Sequence, residues 1–326
     1  MLLLCYTIKL LSQGTNGRLS SEFRAAEARC PEPWSDNKVV VYPSTTIVCS
    51  ILAIICLLFA LIIGIRYNTV RVFNRRFYTR NTTINGLWIF SYFLAGVSAS
   101  LLTVHHALRE ETVKTYEEVY FLIYYIITGI QAASLAASIN MQRKFKNAAP
   151  ASAQTTSPTE PLIPSGSPRP STGNKFGISD LIIILFLIVY LVIFLVYTLV
   201  DGRNMYIAFT VVYAVQRSLV PLFILLLILT PSSQERTISI KSKAFIGVAA
   251  LFHLPLALPV VVWTYFIRGS CIIWIANGTD LMILPYILSY LFLFLFIRSE
   301  YIRNMEQCIW DTVTQIQDNF DFRKFT

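Results

Sequence analysis

Three polar side chains in this 326-residue chain stand where polarity is expensive. Gln131, Arg217 and His253 each fall about halfway along a different long apolar stretch. A polar or charged group at hydrocarbon depth is unfavourable unless it faces a protein interior or a water-lined cavity. Such residues are therefore the first candidates for binding a ligand or for switching between conformations. No Asp or Glu lies near the depth of Arg217. Its partner must then be backbone carbonyls, Gln131, a tyrosine hydroxyl such as Tyr213, water or an anionic ligand. The alternative is a structural arginine that only ties helices together. Prolines cluster around this layer. A proline inside a helix clashes with the carbonyl four residues earlier and removes one hydrogen bond, so Pro221 disturbs the carbonyl of Arg217 itself. Pro255 and Pro259 break the sixth stretch just after His253, and Pro285 breaks the seventh near Leu281. Kinks of this kind can serve as hinges, although prolines are also ordinary in membrane helices.

Other chemistry finds little support. The histidines are His105, His106 and His253. Adjacent histidines point about 100° apart on a helix, and neither HxxxH nor HExxH occurs, so no metal site is expected. There is no Gly-rich phosphate loop and no Ser/His/Asp set at a common depth. The chain does not read as an enzyme, and no cofactor is implied.

The elements that position the three polar residues are seven apolar stretches. They start near Thr45, Gly86, Val119, Leu181, Tyr206, Ala244 and Leu281. Each runs for about 17–25 residues, the length a helix needs to cross roughly 30 Å of hydrocarbon. A surface helix of a soluble protein is apolar on one face only, whereas these are apolar all round. Apolar residues make up 55% of the chain and charged ones 14%, with a mean hydropathy of +0.58, which excludes an ordinary soluble composition. The expected fold is an all-α polytopic membrane protein, a seven-transmembrane helix bundle over residues 45–297 between an amino tail (1–44) and a carboxyl tail (298–326). Small residues recur four apart at Gly129, Ala133 and Ala137 in the third span and at Ala95 and Ala99 in the second. That spacing lets helix backbones approach closely and marks a rigid side of the bundle.

The net charge of +9 raises the question of nucleic acid, but no aromatic-interleaved basic groove is present and no nucleic-acid partner is expected. The basic residues sort by loop instead. Seventeen lie in the first, third and fifth loops and the carboxyl tail, against four in the opposite loops. The first loop alone carries Arg66, Arg71, Arg75, Arg76 and Arg80 with no acidic residue. Lysines and arginines concentrate on the cytoplasmic side of membrane proteins, so the amino end is expected outside or in a lumen and the carboxyl end in the cytosol. The apolar start, Met1–Leu11, is short and interrupted by Lys9, a poor signal peptide. The first span is expected to act as its own insertion signal, in the plasma membrane or an endomembrane.

This topology sorts the remaining features. Cys49 and Cys56 sit within the first span as small apolar residues. Cys30 and Cys271 are the non-membrane cysteines best placed on the oxidising side and are expected to pair as a disulfide, two unpaired thiols being the alternative. Of two glycosylation sequons, at Asn81 and Asn277, only Asn277 faces the lumen. Residues 147–175 form a cytosolic linker rich in Pro, Ser, Thr and Ala, which cannot bury a core and is expected to be disordered. Its Ser-Pro steps at Ser157 and Ser167 are candidate phosphorylation sites, against the plainer reading of a flexible spacer. In the carboxyl tail Ile302, Met305, Ile309, Val313, Ile316 and Phe320 recur at helical spacing, as in an amphipathic helix on a membrane surface.

The run Leu229–Phe245 (LTPSSQERTISIKSKAF) resembles the basic TP…ER…S…F junction between the fifth and sixth spans of the transmembrane protein adipocyte-associated family. Leu281–Tyr290 (LMILPYILSY), Cys30 and Cys271 fit the same pattern, and the resemblance extends loosely over all seven spans. The long Pro/Ser linker departs from it. The family comprises seven-helix, receptor-like orphan proteins, so the resemblance implies signalling, with an unknown ligand and a G protein or another cytosolic partner. Rhodopsin-type receptors fit less well: the third span ends Asn140-Met-Gln-Arg143 in place of Asp/Glu-Arg-Tyr, Pro285 lacks an NPxxY arrangement, and the sixth span lacks CWxP. Together the residues and the resemblance point to a receptor-like protein coupling an outer or intramembrane ligand to the cytosol. A small transporter, channel or lipid-handling protein binding an anion at Arg217 is the alternative, and a scaffold acting through its linker and tail is a third.

Overall fold

The computed structural model of the protein describes residues 43–67, 69–72, 75–78, 82–107, 110–147, 177–200, 218–230, 238–254, 283–303 and 306. Among these, seven helical segments and one short hairpin follow each other along the chain. They are α1 (Pro43–Arg66), β1 (Thr69–Val72), β2 (Arg75–Tyr78), α2 (Thr82–Ala107), α3 (Glu110–Asn147) and α4 (Ile178–Val200). There follow α5 (Ser218–Leu229), α6 (Ile240–His253) and α7 (Ile283–Arg303). Three of them, α1, α2 and α7, are long and apolar enough to cross a membrane.

The two faces of α1 explain why it suits that setting. Its inner face buries Thr45, Cys49, Leu52, Cys56, Ala60 and Ile63. Its outer face exposes Ile47, Ile51, Ile54, Leu58, Leu61 and Ile65, at the same alternation of three and four residues. A helix in water would carry polar side chains on that outer stripe; here both stripes are apolar, as lipid requires. The same pattern recurs on α7, which exposes Leu284, Leu288 and Leu291, and on α4, which exposes Leu181, Leu185, Ile188 and Val192. Cys49 and Cys56 are buried free thiols, serving as small apolar side chains.

Local chemistry sets the helix ends. Pro43 opens α1, where its missing N–H costs nothing, and Arg66 closes it where a cation meets the negative end of the helix dipole. The Ser239 hydroxyl caps α6 by accepting from the Ser242 N–H at 3.0 Å. That helix ends at His253, with Leu254 in extended backbone (φ −60°, ψ 147°). A residue that precedes a proline is driven out of helical geometry by the proline ring, and residue 255 is proline. At the start of α4 the Gly177 carbonyl accepts from the Asp180 and Leu181 N–H groups, while the Asp180 carboxylate accepts from the Gly177 N–H at 2.9 Å, a reciprocal capping arrangement. The longest helix, α3, begins at Glu110, ahead of the apolar stretch expected near Val119. Its 38 residues span about 57 Å, more than a bilayer core is thick.

A short hairpin joins α1 to α2 within the otherwise helical architecture. There β1 and β2 run antiparallel with Thr69 opposite Tyr78 and Val72 opposite Arg75. β-branched and aromatic residues (Val70, Val72, Phe77, Tyr78) favour extended backbone, which explains a strand pair where an arginine-rich loop was expected.

Packing proceeds in order: α1 lies along α2, α2 along α3, and α3 along α4. The last helix returns to the first two. Phe294 of α7 stacks on Phe59 of α1 with ring centroids 4.0 Å apart, and Phe296 meets Trp88 of α2 edge-on. On the other side of α7, Phe292 is flanked by Phe245 and Phe252 of α6. Val220, Phe223, Ile224 and Leu227 bring α5 into the same buried core. The glycine at 129 allows α3 its close approach to α4: a Cβ there would sit 2.6 Å from Cδ1 of the buried Tyr190 ring.

Several expected features lie outside the described residues: the amino tail with Cys30, Arg217, Pro255, Pro259, Cys271, Asn277, the linker beyond Asn147 with Ser157 and Ser167, and the carboxyl tail apart from Arg298–Arg303 and Glu306.

Candidate functional site

Two of the three deep polar residues meet around a tyrosine. Gln131 of α3 and His253 of α6 are each 1% exposed, and Tyr290 of α7 is fully buried between them. The Gln131 side-chain amide donates to the Tyr290 hydroxyl. The backbone carbonyl of the same Tyr290 accepts from the hydroxyl of Tyr92 on α2 at 2.8 Å. Tyr92 also places its ring edge-on to Tyr290, with centroids 5.5 Å apart. One residue of α7 is thus held through its phenol by α3 and through its backbone by α2. Arg217, the third residue of the expected layer, lies outside the described residues; Pro221 is buried in α5, four positions further on.

His253 reaches α7 differently. Its Nδ1 lies 3.1 Å from the Ser289 hydroxyl, and Ser289 donates to the Ala249 carbonyl of α6 at 3.0 Å. With the serine proton directed at that carbonyl, the serine oxygen accepts from His253 Nδ1–H, a tautomer assigned from the network. The imidazole also stacks on Tyr286 at 4.9 Å and stands edge-on to Tyr290 at 6.4 Å. Tyr286 and Tyr290 are one turn apart on α7 and contact each other edge-on. Pro285 sits just before this ring cluster, near the described start of α7.

These groups are an amide, two phenols, a hydroxyl and an imidazole, all shielded from water. Such a set recognises or exchanges hydrogen bonds. The Ser289–His253 pair has the residue types of a nucleophile and its base, but the serine proton points away from the imidazole, so the pair serves to fasten α6 to α7. Among the described residues no group of three or more His, Cys, Asp or Glu could hold a metal ion.

Next to this layer, three serines line the contact of α2 with α3. Ser91 lies 3.0 Å from Ser134 and 3.4 Å from Ser138, oxygen to oxygen. Each also has a carbonyl of its own helix within reach: Leu87 for Ser91, Gln131 for Ser134, Ser134 for Ser138. Each hydroxyl proton thus has at least one acceptor within reach, and none is left unsatisfied. Ala95, Ala99 and Ala133 of the same two helices are buried as well.

A second polar cluster closes the far end of α3. Asp180, in the first turn of α4, accepts from Lys144 and, at 2.8 Å, from the Asn140 amide. Arg143 in turn donates two hydrogen bonds to the Asn140 carbonyl oxygen, at 2.9 and 3.2 Å. Burial alone would raise the Asp180 carboxyl. The hydrogen bonds from Lys144 and the Gly177 N–H, the Lys144 charge and the Asn140 amide outweigh it and hold the group below the usual carboxylate range. One carboxylate thus joins the last turns of α3 to the first turn of α4.

Sequence reasoning picked out Gln131 and His253 from their depth. It missed the importance of Tyr92, Ser289 and Tyr290. The available signal was the pairing of Tyr286 with Tyr290 at helical spacing beside Ser289. No protein-family model, curated protein or solved structure matches the chain.

Proposed function

We propose that the protein is a multi-pass, receptor-like membrane protein of seven spans, with its amino end outside or in a lumen and its carboxyl end in the cytosol. It couples a ligand, bound from the outer side or within the bilayer, to a G protein or another cytosolic partner. One observation carries the reading. Tyr290 is held by α2 and α3 at once, whereas α6 attaches to α7 through hydroxyl contacts at Ser289 and Ser299 and a stack of rings. A bundle with one firmly tied side and one ring-packed side has what a switch needs: an element with two arrangements that a ligand can bias. The likeness of Leu229–Phe245 and Leu281–Tyr290 to the adipocyte-associated family, and the concentration of basic residues in alternate loops, point the same way. The chain is not proposed to be an enzyme, and no cofactor is part of the reading.

The test is a biosensor screen of the full chain against every G-protein class, with Arg217→Leu alongside. Constitutive or serum-induced coupling that Arg217→Leu changes at equal surface expression supports the reading. Coupling to no class overturns it. Co-purification of a small anion with the wild type, absent from the Arg217→Leu protein, then favours the transporter or lipid-handling alternative.

A further inference from the structure

The network that ties the start of α6 to α7 begins at an exposed hydroxyl. Ser239 donates to the Ser242 hydroxyl at 2.9 Å, and Ser242 lies 2.8 Å from Ser299 of α7, oxygen to oxygen. The three serines differ in access. Ser242 is fully buried and Ser299 half-buried, whereas Ser239 is exposed. The residues around the turn stand clear as well: Ile240 is 88% exposed, and Lys241 and Lys243 are exposed. Ser239 itself has extended backbone (φ −61°, ψ 153°), just ahead of the first helical turn.

The sequence around this hydroxyl is asymmetric in a way that matters to one class of enzyme. Arg236 stands three positions before Ser239, aliphatic Ile240 directly after it, and Lys241 two positions after. Protein kinases choose their substrates by the pattern of charge about the acceptor hydroxyl. A basic residue on each side and an aliphatic one next to the serine suit a basophilic serine/threonine kinase. Seating the serine in a kinase groove requires only the first turn of α6 to open, and helix ends open most readily.

We propose that Ser239 is a phosphorylation site for a basophilic serine/threonine kinase, and that the phosphate acts on the tie between α6 and α7. The proposal rests on the cytosolic placement of this loop in the orientation given above. Ser239 Oγ attacks the γ-phosphorus of a nucleoside triphosphate held by the kinase. A new Oγ–P bond forms, the bond to the β-phosphate oxygen breaks and nucleoside diphosphate leaves, while the hydroxyl proton passes to the kinase's catalytic carboxylate. Ser239 then has no proton to give Ser242. The phosphate oxygens are strong acceptors and compete with Ser299 for the Ser242 hydroxyl proton.

Purified full-length protein in neutral detergent is incubated with ATP and the catalytic domain of a protein kinase C, and phosphopeptides are mapped by mass spectrometry. Phosphate is expected on Ser239 and absent from buried Ser242. Ser239→Asn keeps a capping side chain without the hydroxyl and should lose this label. Arg236→Gln/Lys241→Gln should slow labelling about tenfold, because charge pairing with the kinase is lost. Phosphorylation should also shift the unfolding temperature of the wild type more than that of Ser299→Ala, which lacks the α7 end of the network. Protein from cultured cells is mapped in the same way, and a carboxyl-terminal tag is stained with and without permeabilisation. No label on Ser239 in vitro overturns the proposal whatever the orientation, as does a labelling rate unchanged in the Gln variant. An equal temperature shift in Ser299→Ala overturns the effect on the tie. Label in vitro with none in cells also overturns the proposal, and staining of the tag without permeabilisation then traces the failure to the orientation.

Discussion

The contact of α2 with α3 and the contact of α6 with α7 are built on opposite plans. The first is joined by three small side chains, Ser91, Ser134 and Ser138, on helices whose Ala95, Ala99 and Ala133 are also buried, and small residues let backbones come close. The second uses the largest: His253, Tyr286, Tyr290, Phe245, Phe252 and Phe292 fill it with rings. Small residues leave nothing to rearrange, because a backbone contact has one geometry. Rings have several, since a phenol or imidazole can turn about its side-chain bonds while its neighbours stay in contact. Rigidity and adaptability are thus distributed between two contacts of one bundle by side-chain size.

The largest expected effect falls next to the small-residue contact, where α3 meets α4. Gly129→Val drives a branched side chain into the Tyr190 ring, which is 3% exposed and has nowhere to go. A loss of about 3 kcal/mol is expected, read as a lowered unfolding temperature in detergent. Gly96→Ala is the control. Its Cβ would meet Leu57, but Leu57 is 38% exposed on the outer face and can swing away, so the melting temperature should barely move. If both glycines behave alike, close packing does not distinguish the α3 contact.

Next comes the joint between the two plans. Tyr290→Phe keeps the ring and removes the acceptor used by Gln131, leaving a buried amide without it. The expected cost is about 1–2 kcal/mol. Gln131→Leu should cost a similar amount, and the double variant should cost less than the two singles combined, because it removes donor and acceptor together. Strict additivity in that thermal-unfolding cycle would show that the bond contributes nothing.

The smallest effect is expected at Ser91→Ala. Ser134 and Ser138 keep their carbonyl partners on α3, so stability should fall by less than about 0.6 kcal/mol. A large loss would mean that the hydroxyls, and not the closeness of the backbones, hold α2 to α3.

How far the amino-acid sequence reveals this follows from the physics of each part. Helical stretches and their apolar character are legible because hydropathy and length act locally. Gln131 and His253 are legible because a polar group at such depth is rare. Tyr290 is not, since tyrosine is ordinary in membrane helices and its role depends on Tyr92, which is 198 positions away in the chain. Asp180 is missed for the same reason: its partners Asn140 and Lys144 lie across the whole linker. The hairpin was concealed by its own charge. Five arginines read as a loop, and Val70, Val72, Phe77 and Tyr78 among them carry only a short strand signal.

Tyr290 has one further consequence, for the direction in which this protein can move. Because α2 grips its carbonyl and α3 its phenol, α7 cannot turn about its axis or slide along it without breaking both bonds together. The His253–Ser289 bond sits on the other flank and lies close to where α6 ends, at Leu254. At its other end α6 is tied to the same helix by the Ser242 and Ser299 hydroxyls, 2.8 Å apart, so α6 is fastened to α7 near both of its ends. The two helices form one joined pair, and Tyr290 is where that pair is bound to α2 and α3.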